Sequence, residues 1–412
     1  MIEEINIEYL GATGVGVTRS GKKKIFTPYV LEGEVVKVEV ANQNSKYINT
    51  KLVEVVKESA HRVTPPCEYF YKCGGCLLQH MDDVSYLDFK RKIFIESLSR
   101  ANISFEENLP DPIIVGSNAR RRASFRADLN SFGFYERSSN KIVDIKKCLI
   151  LTPEINKLIP ELHKLVKAFS PELLSRGLEI DIVFASVGSE LFIKSELLPN
   201  EQESKLIADF NHVTKVSWSH NGQIINLIIR EEPQELFGEY LVPVPTGEFL
   251  QPTKVAEELI SDFILGFAKT KTHILDLYAG SGTYSFRIAK TAKVTAMEGN
   301  PDMVALIKKT AILYCLDINA YRRDLYLYPI DDLHKYDMIV INPPRNGAEP
   351  QINHIAKSNV SSVIMVSCNP KTFSRDAKIL SDGGYKLDKI IAIDQFHYTQ
   401  HLEIVAHFIK GK

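Results

Sequence analysis

Residues 274–283 read Ile274-Leu275-Asp276-Leu277-Tyr278-Ala279-Gly280-Ser281-Gly282-Thr283, an apolar run that breaks into a loop with two close glycines. A continuous apolar run fits a strand covered on both faces, and glycines at its carboxyl end let a ligand approach the main chain. Three further runs repeat the pattern: Val294-Thr-Ala-Met297, Met338-Ile-Val-Ile341 and Val363-Ile-Met-Val366, each followed by a segment with helical spacing. This alternation predicts an α/β Rossmann-like domain with a parallel sheet over residues 241–412. Lys389-Ile-Ile-Ala-Ile393 and Leu402-Glu-Ile-Val-Ala-His-Phe408 lie too close together for a helical crossover. They are expected to pair antiparallel at the edge of the sheet.

The glycine loop also limits the ligand. A dinucleotide site normally spends three glycines, G-x-G-x-x-G, on seating a pyrophosphate. Here one glycine pair follows Asp276, and a carboxylate opposes a pyrophosphate but suits the cationic amino-acid end of S-adenosylmethionine. Glu298 ends the second strand, where a carboxylate accepts ribose hydroxyls. Asp324, after the third strand position, is placed to hydrogen-bond an adenine amino group. A Rossmann-like fold with another ligand is the alternative.

Further along the same strand ends lie Asn342-Pro343-Pro344-Arg345 and Ser367-Cys368-Asn369-Pro370. The paired prolines form a rigid edge for a planar base. Cys368, at the carboxyl end of a parallel strand, is either a small core thiol or a nucleophile, and the neighbouring Asn-Pro and donor-type loop favour the nucleophile. Carbon 5 of a pyrimidine is a poor nucleophile until a thiolate adds to carbon 6, and a base must then remove the carbon-5 proton. Glu403, a carboxylate in an apolar strand, fits that base if it faces inward; alternation alone equally allows a solvent-facing residue. Cys315, in Leu313-Tyr-Cys-Leu316, reads as a mid-helix core residue.

The N-terminal half differs. Residues 1–57 alternate with period two and are broken by Gly11, Gly14, Gly16, Gly21 and Gly33, which predicts a small OB-like β-barrel. Cys67-x5-Cys73-Gly-Gly-Cys76, with Cys148 far downstream, clusters thiols in a chain of 412 residues that does not need disulfides to hold its core. Thiolates suit soft metals; the three-plus-one spacing fits a [4Fe-4S] cluster better than zinc, which usually takes two close pairs. A helix is expected from about Ser85 to Arg100, and residues 58–82 with 105–240 read as a central α+β domain carrying the cluster. Net charge is -1, so any polyanion contact must be local: Lys22-Lys23-Lys24, Arg120-Arg121-Arg122 with Arg126, and Lys146-Lys147. The 44% apolar and 25% charged composition is that of a globular protein. No apolar run is long enough to span a bilayer, and Met1-Ile-Glu-Glu lacks an export pattern, so a cytoplasmic location without membrane contact is expected.

Taken together, these residues resemble the RNA uracil-5 methyltransferases, in particular the iron–sulfur-containing branch that makes 5-methyluridine in 23S ribosomal RNA, over nearly the whole chain. The resemblance implies Cys67, Cys73, Cys76 and Cys148 as cluster ligands, with Gln79-His80 following them as in the family signature. It implies Gln251, Asp276, Tyr278, Gly280, Thr283, Glu298, Asp324 and Asn342 around S-adenosylmethionine, Cys368 as nucleophile and Glu403 as proton acceptor. It also implies that the N-terminal barrel, residues 1–57, is a TRAM domain, and that the methyltransferase domain is discontinuous, residues 83–104 with 241–412, acting on structured RNA as a monomer. The chain departs from the family at Asn342, where Asp-Pro-Pro-Arg is usual; the amide keeps an acceptor oxygen and loses the charge. The expected activity is methylation of carbon 5 of a 23S rRNA uridine. Alternatives are the same chemistry on the transfer-RNA T-loop, an iron–sulfur redox enzyme with a nucleotide cofactor, and a non-catalytic RNA chaperone. The C-x3-C-x2-C spacing of radical enzymes is absent.

Overall fold

The computed structural model describes residues 2–103 and 109–411; the expected domain boundary at 104/105 lies outside them. The C-terminal unit is an eight-stranded sheet. Its main strands are β1 (His273–Leu277), β2 (Lys293–Glu298), β3 (Ile318–Arg322), β4 (Met338–Ile341), β5 (Ser362–Ser367), β6 (Tyr385–Asp394) and β7 (Glu403–Lys410). They lie in the order β3-β2-β1-β4-β5-β7-β6, with the short strand Ile113–Ile114 beyond β6. The first five are parallel, as their apolar runs demand, and all of β4 and β5 is buried. β7 pairs antiparallel with β6, as the short connection predicts, and lies between β5 and β6, with only the two-residue strand Ile113–Ile114 beyond the pair. Its reversed direction matters for the site, because its first residue, Glu403, arrives beside the carboxyl ends of the parallel strands.

The N-terminal sheet has six strands, with Ile2–Asn6 and Tyr9–Leu10 at its two opposite edges. Only Ile7 and Glu8 join them, a reach of about 11 Å, whereas a flat sheet of this width would span roughly 24 Å. The sheet must therefore curl until its edges meet, around Ile7, Val30, Val36 and Val38. Residues 122–229 form a seven-stranded, largely antiparallel sheet covered by the helix Pro153–Lys167, which buries Ile155, Leu158, Ile159, Leu162, Leu165 and Val166.

The helix Asp83–Arg100, capped by Asp82, packs on the helix Pro370–Asp382 of the C-terminal unit, where Ser374 donates to the carbonyl of Ser97. Its Lys90 is fully buried and donates to Asp394 Oδ1 at 2.9 Å and to the carbonyls of Thr399 and His401 at 2.7 Å each. Tyr86 donates to the other Asp394 oxygen. All three ammonium protons are used, so the pair is compensated; either charge left alone there would cost ~3–5 kcal/mol. These bonds pin the loop 395–402 that leads into β7.

One sequence expectation needs correction, and the arginine run divides. Cys315 is neither mid-helix nor core: the helix ends at Leu313, and Cys315 is exposed with φ 54° at the position where a Schellman turn reverses the chain, Leu316 N–H donating to Ala311. The arginine run is not one basic face. Arg121 is buried and bridges Glu235 and Glu257, which also hold Lys254 and Arg287, so it joins the central sheet to the C-terminal unit. Arg126 pairs with Glu179, and of the three consecutive arginines Arg120 and Arg122 face cavities. Among the described residues, no helix is long and apolar enough to cross a membrane.

Candidate active site

The loop after β1 turns sharply. Tyr278, Gly280 and Gly282 all have positive φ, and the two glycines are needed for different reasons. A Cβ on Gly282 would strike the Phe286 ring at 2.5 Å, whereas one on Gly280 would meet nothing within 4 Å. Gly280 thus borders open space where a ligand can reach the main chain. Its N–H donates to Glu298 Oε2 at 2.9 Å, and Asn300 N–H donates to Oε1 at 2.9 Å. The half-buried carboxylate at the end of β2 is held in place with lone pairs to spare.

Asp276 is fully buried. Ser285 donates to its Oδ2 at 2.6 Å, while Oδ1 has no partner, and burial pushes its pKa up to about 7. The Tyr278 hydroxyl is likewise buried and unpartnered. Two orphaned polar atoms beside a glycine loop mark the place of a polar ligand, since an unmet buried group costs about 1–3 kcal/mol. Thr283 is half-buried with its carbonyl taken by Arg287, and Asn342 is anchored by its N–H to the Leu277 carbonyl. Asp324 follows β3 as expected; it is exposed, and its Oδ1 accepts the N–H groups of Tyr326 and Leu327, which leaves Oδ2 free of those bonds.

Cys368 follows β5 and is half-buried. Register explains why it meets Glu403: Ser367 pairs with Ile404, so the next step along each strand brings Cys368 and Glu403 to the same sheet end. Burial, and then the Glu403 charge, push the thiol up to about 11, against the pull of Arg345. Glu403 is 2% exposed, which settles its direction: it faces inward. Burial raises it to about 7, and among the described residues no cation pairs with it.

Two residues that the sequence reading did not single out join this group. Gln395 Nε2 donates to Glu403 Oε2 at 2.8 Å and to Gln251 Oε1 at 3.1 Å; Gln251 Nε2 in turn donates to the Tyr284 hydroxyl at 3.2 Å. Gln251, placed by the Phe-Leu-Gln segment, is thereby tied to the carboxylate. Nothing local marks Gln395 or Tyr284; only the closed chain of contacts does.

The four remaining cysteines line a single cavity of about 250 Å³ together with Arg120, Gln79 and Lys147. The cysteine loop docks on the hairpin 132–144 through Gly74 N–H to the Tyr135 carbonyl, and Asn156 clamps both the N–H and the carbonyl of Cys148. Gln79 accepts from Cys67 N–H, and Gly75 N–H points at Cys73 Sγ. Among the described residues no three His, Cys, Asp or Glu side chains converge closely enough to hold one metal ion. The thiols surround a space instead of a point. As free thiols, burial raises Cys76 to about 12 and Cys148 to about 11.

This cavity shares Arg120, Arg122, Ala123 and Ser124 with a second one, about 300 Å³, that reaches Phe249, Phe396 and Arg345 beside Cys368. The backbones are joined as well: Leu77 and Leu78 N–H both donate to the carbonyl of Tyr398, in the loop leading to Glu403.

Comparison with known proteins matches residues 238–410 to the tRNA (uracil-5-)-methyltransferase family model. An uncharacterized RNA methyltransferase of Brucella suis is 33% identical over 99% of this chain and 98% of its own length. The 23S rRNA (uracil(1939)-C(5))-methyltransferase RlmD of Vibrio parahaemolyticus is 28% identical over 99% and 96%. In fold, the chain is similar to the Pyrococcus abyssi tRNA (uracil-54, C5)-methyltransferase solved with S-adenosyl-L-homocysteine, with TM-score 0.79, 21% identity, and 99% and 100% covered.

Proposed function

The chain belongs to the RNA (uracil-5-)-methyltransferase family, and from that premise we propose that it methylates carbon 5 of one uridine in 23S rRNA through a covalent adduct on Cys368. The observation that carries the reading is the meeting of Cys368 and buried Glu403 at one sheet end, next to Gln251. S-adenosylmethionine, when bound, supplies a methyl group on a cationic sulfur. The orphaned Asp276 and Tyr278 oxygens, the open side of Gly280 and the Glu298 carboxylate fit its polar ends, with Gln251, Thr283, Asp324 and Asn342 around them.

The residues divide the work as follows. Cys368, after losing its proton to solvent, adds to carbon 6; Arg345 and a cationic donor supply the positive charge that a thiol near 11 requires. Carbon 5 then bonds the methyl as the sulfur–methyl bond breaks. Ionised Glu403 takes the carbon-5 proton, the carbon–sulfur bond breaks, and the thiolate is regenerated. The target base must leave its stack to reach Cys368. The cavity lined by Arg120, Arg122, Phe249 and Phe396 offers cations for phosphates and rings for neighbouring bases. We assign three units, 1–57 as a TRAM-type RNA-binding barrel, 58–82 with 105–240 as the cluster domain, and 83–104 with 241–412 as the methyltransferase domain.

A [4Fe-4S] cluster fits the four-thiol cavity: the donors are soft, they are spread around a space and not about one ion, and amides approach their sulfurs. Cys67, Cys73, Cys76 and Cys148 would hold it, and no step above draws on it. Protein purified without oxygen should carry about four iron atoms per chain with broad visible absorption, lost in Cys148→Ser; zinc in place of iron would contradict the assignment. The substrate is tested by mapping 5-methyluridine in RNA from cells lacking the protein. Loss at one 23S rRNA site is expected, whereas loss at the transfer-RNA T-loop with intact 23S rRNA would reassign the substrate.

A further inference from the structure

We propose that Gln395 is the positioning residue that holds Glu403 ready as a base and ties its proton affinity to the cofactor-contacting Gln251. The inference rests on the reading of Glu403 as proton acceptor. Gln395 is 1% exposed, and its amide nitrogen donates one proton to Glu403 Oε2 and the other to Gln251 Oε1. Against ionised Glu403 the amide presents its nitrogen, because a flip would set Gln395 Oε1 against a carboxylate oxygen. Its Oε1 consequently has no partner among the described residues. A residue kept only for packing would not leave a buried acceptor unmet, since an apolar side chain of similar size avoids that cost.

The groups facing Glu403 make Gln395 decisive. From the end of β5 comes the Cys368 thiol, and from the loop after β1 the Tyr284 phenol; both disfavour a neighbouring negative charge when ionised. Ile393 of β6, its register partner, brings no charge. The amide of Gln395 is thus the one group hydrogen-bonded to the carboxylate among the described residues, and it stabilises the ionised form. Tyr284 steadies the far end by accepting from Gln251, so the chain Tyr284–Gln251–Gln395–Glu403 links the donor site to the base.

The test is the pH dependence of the step that needs the base, the release of free 5-methyluridine RNA from the protein adduct in a single turnover. In Gln395→Met the acid limb should move up by about one pH unit, the worth of one charge-assisted hydrogen bond. The rate should fall about fivefold at pH 7 and recover near pH 9. A structural role would lower the rate equally at every pH. Tyr284→Phe should move the limb the same way by roughly a third of a unit, and it decides the matter if Gln395→Met does not fold. An unmoved limb in the variant that folds overturns the proposal. If Glu403→Gln turns over normally, the base assignment itself has failed; if Glu403→Gln traps an adduct while the limb stays put, only the role of Gln395 has failed.

Discussion

Cys368→Ala is expected to abolish 5-methyluridine formation, lowering the rate on the order of 10⁴-fold or more, while RNA and S-adenosylmethionine binding persist. The size follows from the chemistry. Without a thiolate on carbon 6, carbon 5 carries no usable electron pair, and neither Glu403 nor the donor pocket can substitute. The fold should survive, because the half-buried thiol accepts no hydrogen bond that holds secondary structure together. Its thermal midpoint should stay within about 3 °C of the parent. Methylation by Cys368→Ala above background in a single-turnover assay would remove the nucleophile assignment.

Glu403→Gln should stop the cycle one step later. Addition and methyl transfer do not require the base, but the carbon-5 proton then has no acceptor, so a methylated protein–RNA adduct should accumulate and survive denaturing gels. The same variant should be more stable than the parent at neutral and alkaline pH. The sign follows from burial: Glu403 is held near 7 when folded and returns to the ordinary range near 4.5 when unfolded. Between those values the folded state binds the extra proton, so its stability falls as pH rises. The full penalty, roughly 3 kcal/mol, is present above pH 7 and absent below 4.5. Glutamine removes it and still accepts from Gln395. Denaturation at pH 8 and pH 4 should therefore separate the two proteins at the first pH alone; equal stability at pH 8 would mean that the surroundings of Glu403 do not raise its proton affinity.

What could be read from the sequence was what local chemistry writes down. The apolar strands carry their meaning within a few residues, and the strand order agrees with them; the glycine loop and the clustered cysteines are equally local patterns, and the four cysteines line one cavity. Contacts between distant segments could not be read that way. Lys90 and Asp394 are 304 positions apart, and neither sits in a motif. Gln395 is 144 positions from Gln251, and its role exists only because β7 runs antiparallel inside the sheet. Glu403 was undecided for the same reason: alternation gives two faces, and only the neighbouring strands say which one is buried. The partners of the arginine run were likewise out of reach. Arg121 precedes the strand Arg122–Ala127 and turns inward to Glu235 and Glu257, while Arg120 and Arg122 on either side of it meet cavities. Cys315 was misread because a helix pattern does not reveal its last turn when the reversing residue is not glycine.

Incubating the protein with S-adenosylmethionine and a 23S rRNA fragment carrying 5-fluorouridine at the target gives the most direct trial. Fluorine cannot leave as a proton does, so the reaction should halt with methylated RNA bonded to the protein. Peptide mass spectrometry should find that mass on the fragment holding Cys368, and only when the donor is present. Methylation of ordinary RNA with no fluorouridine adduct, or an adduct on any other residue, would contradict a thiolate at Cys368 as the group that activates the base.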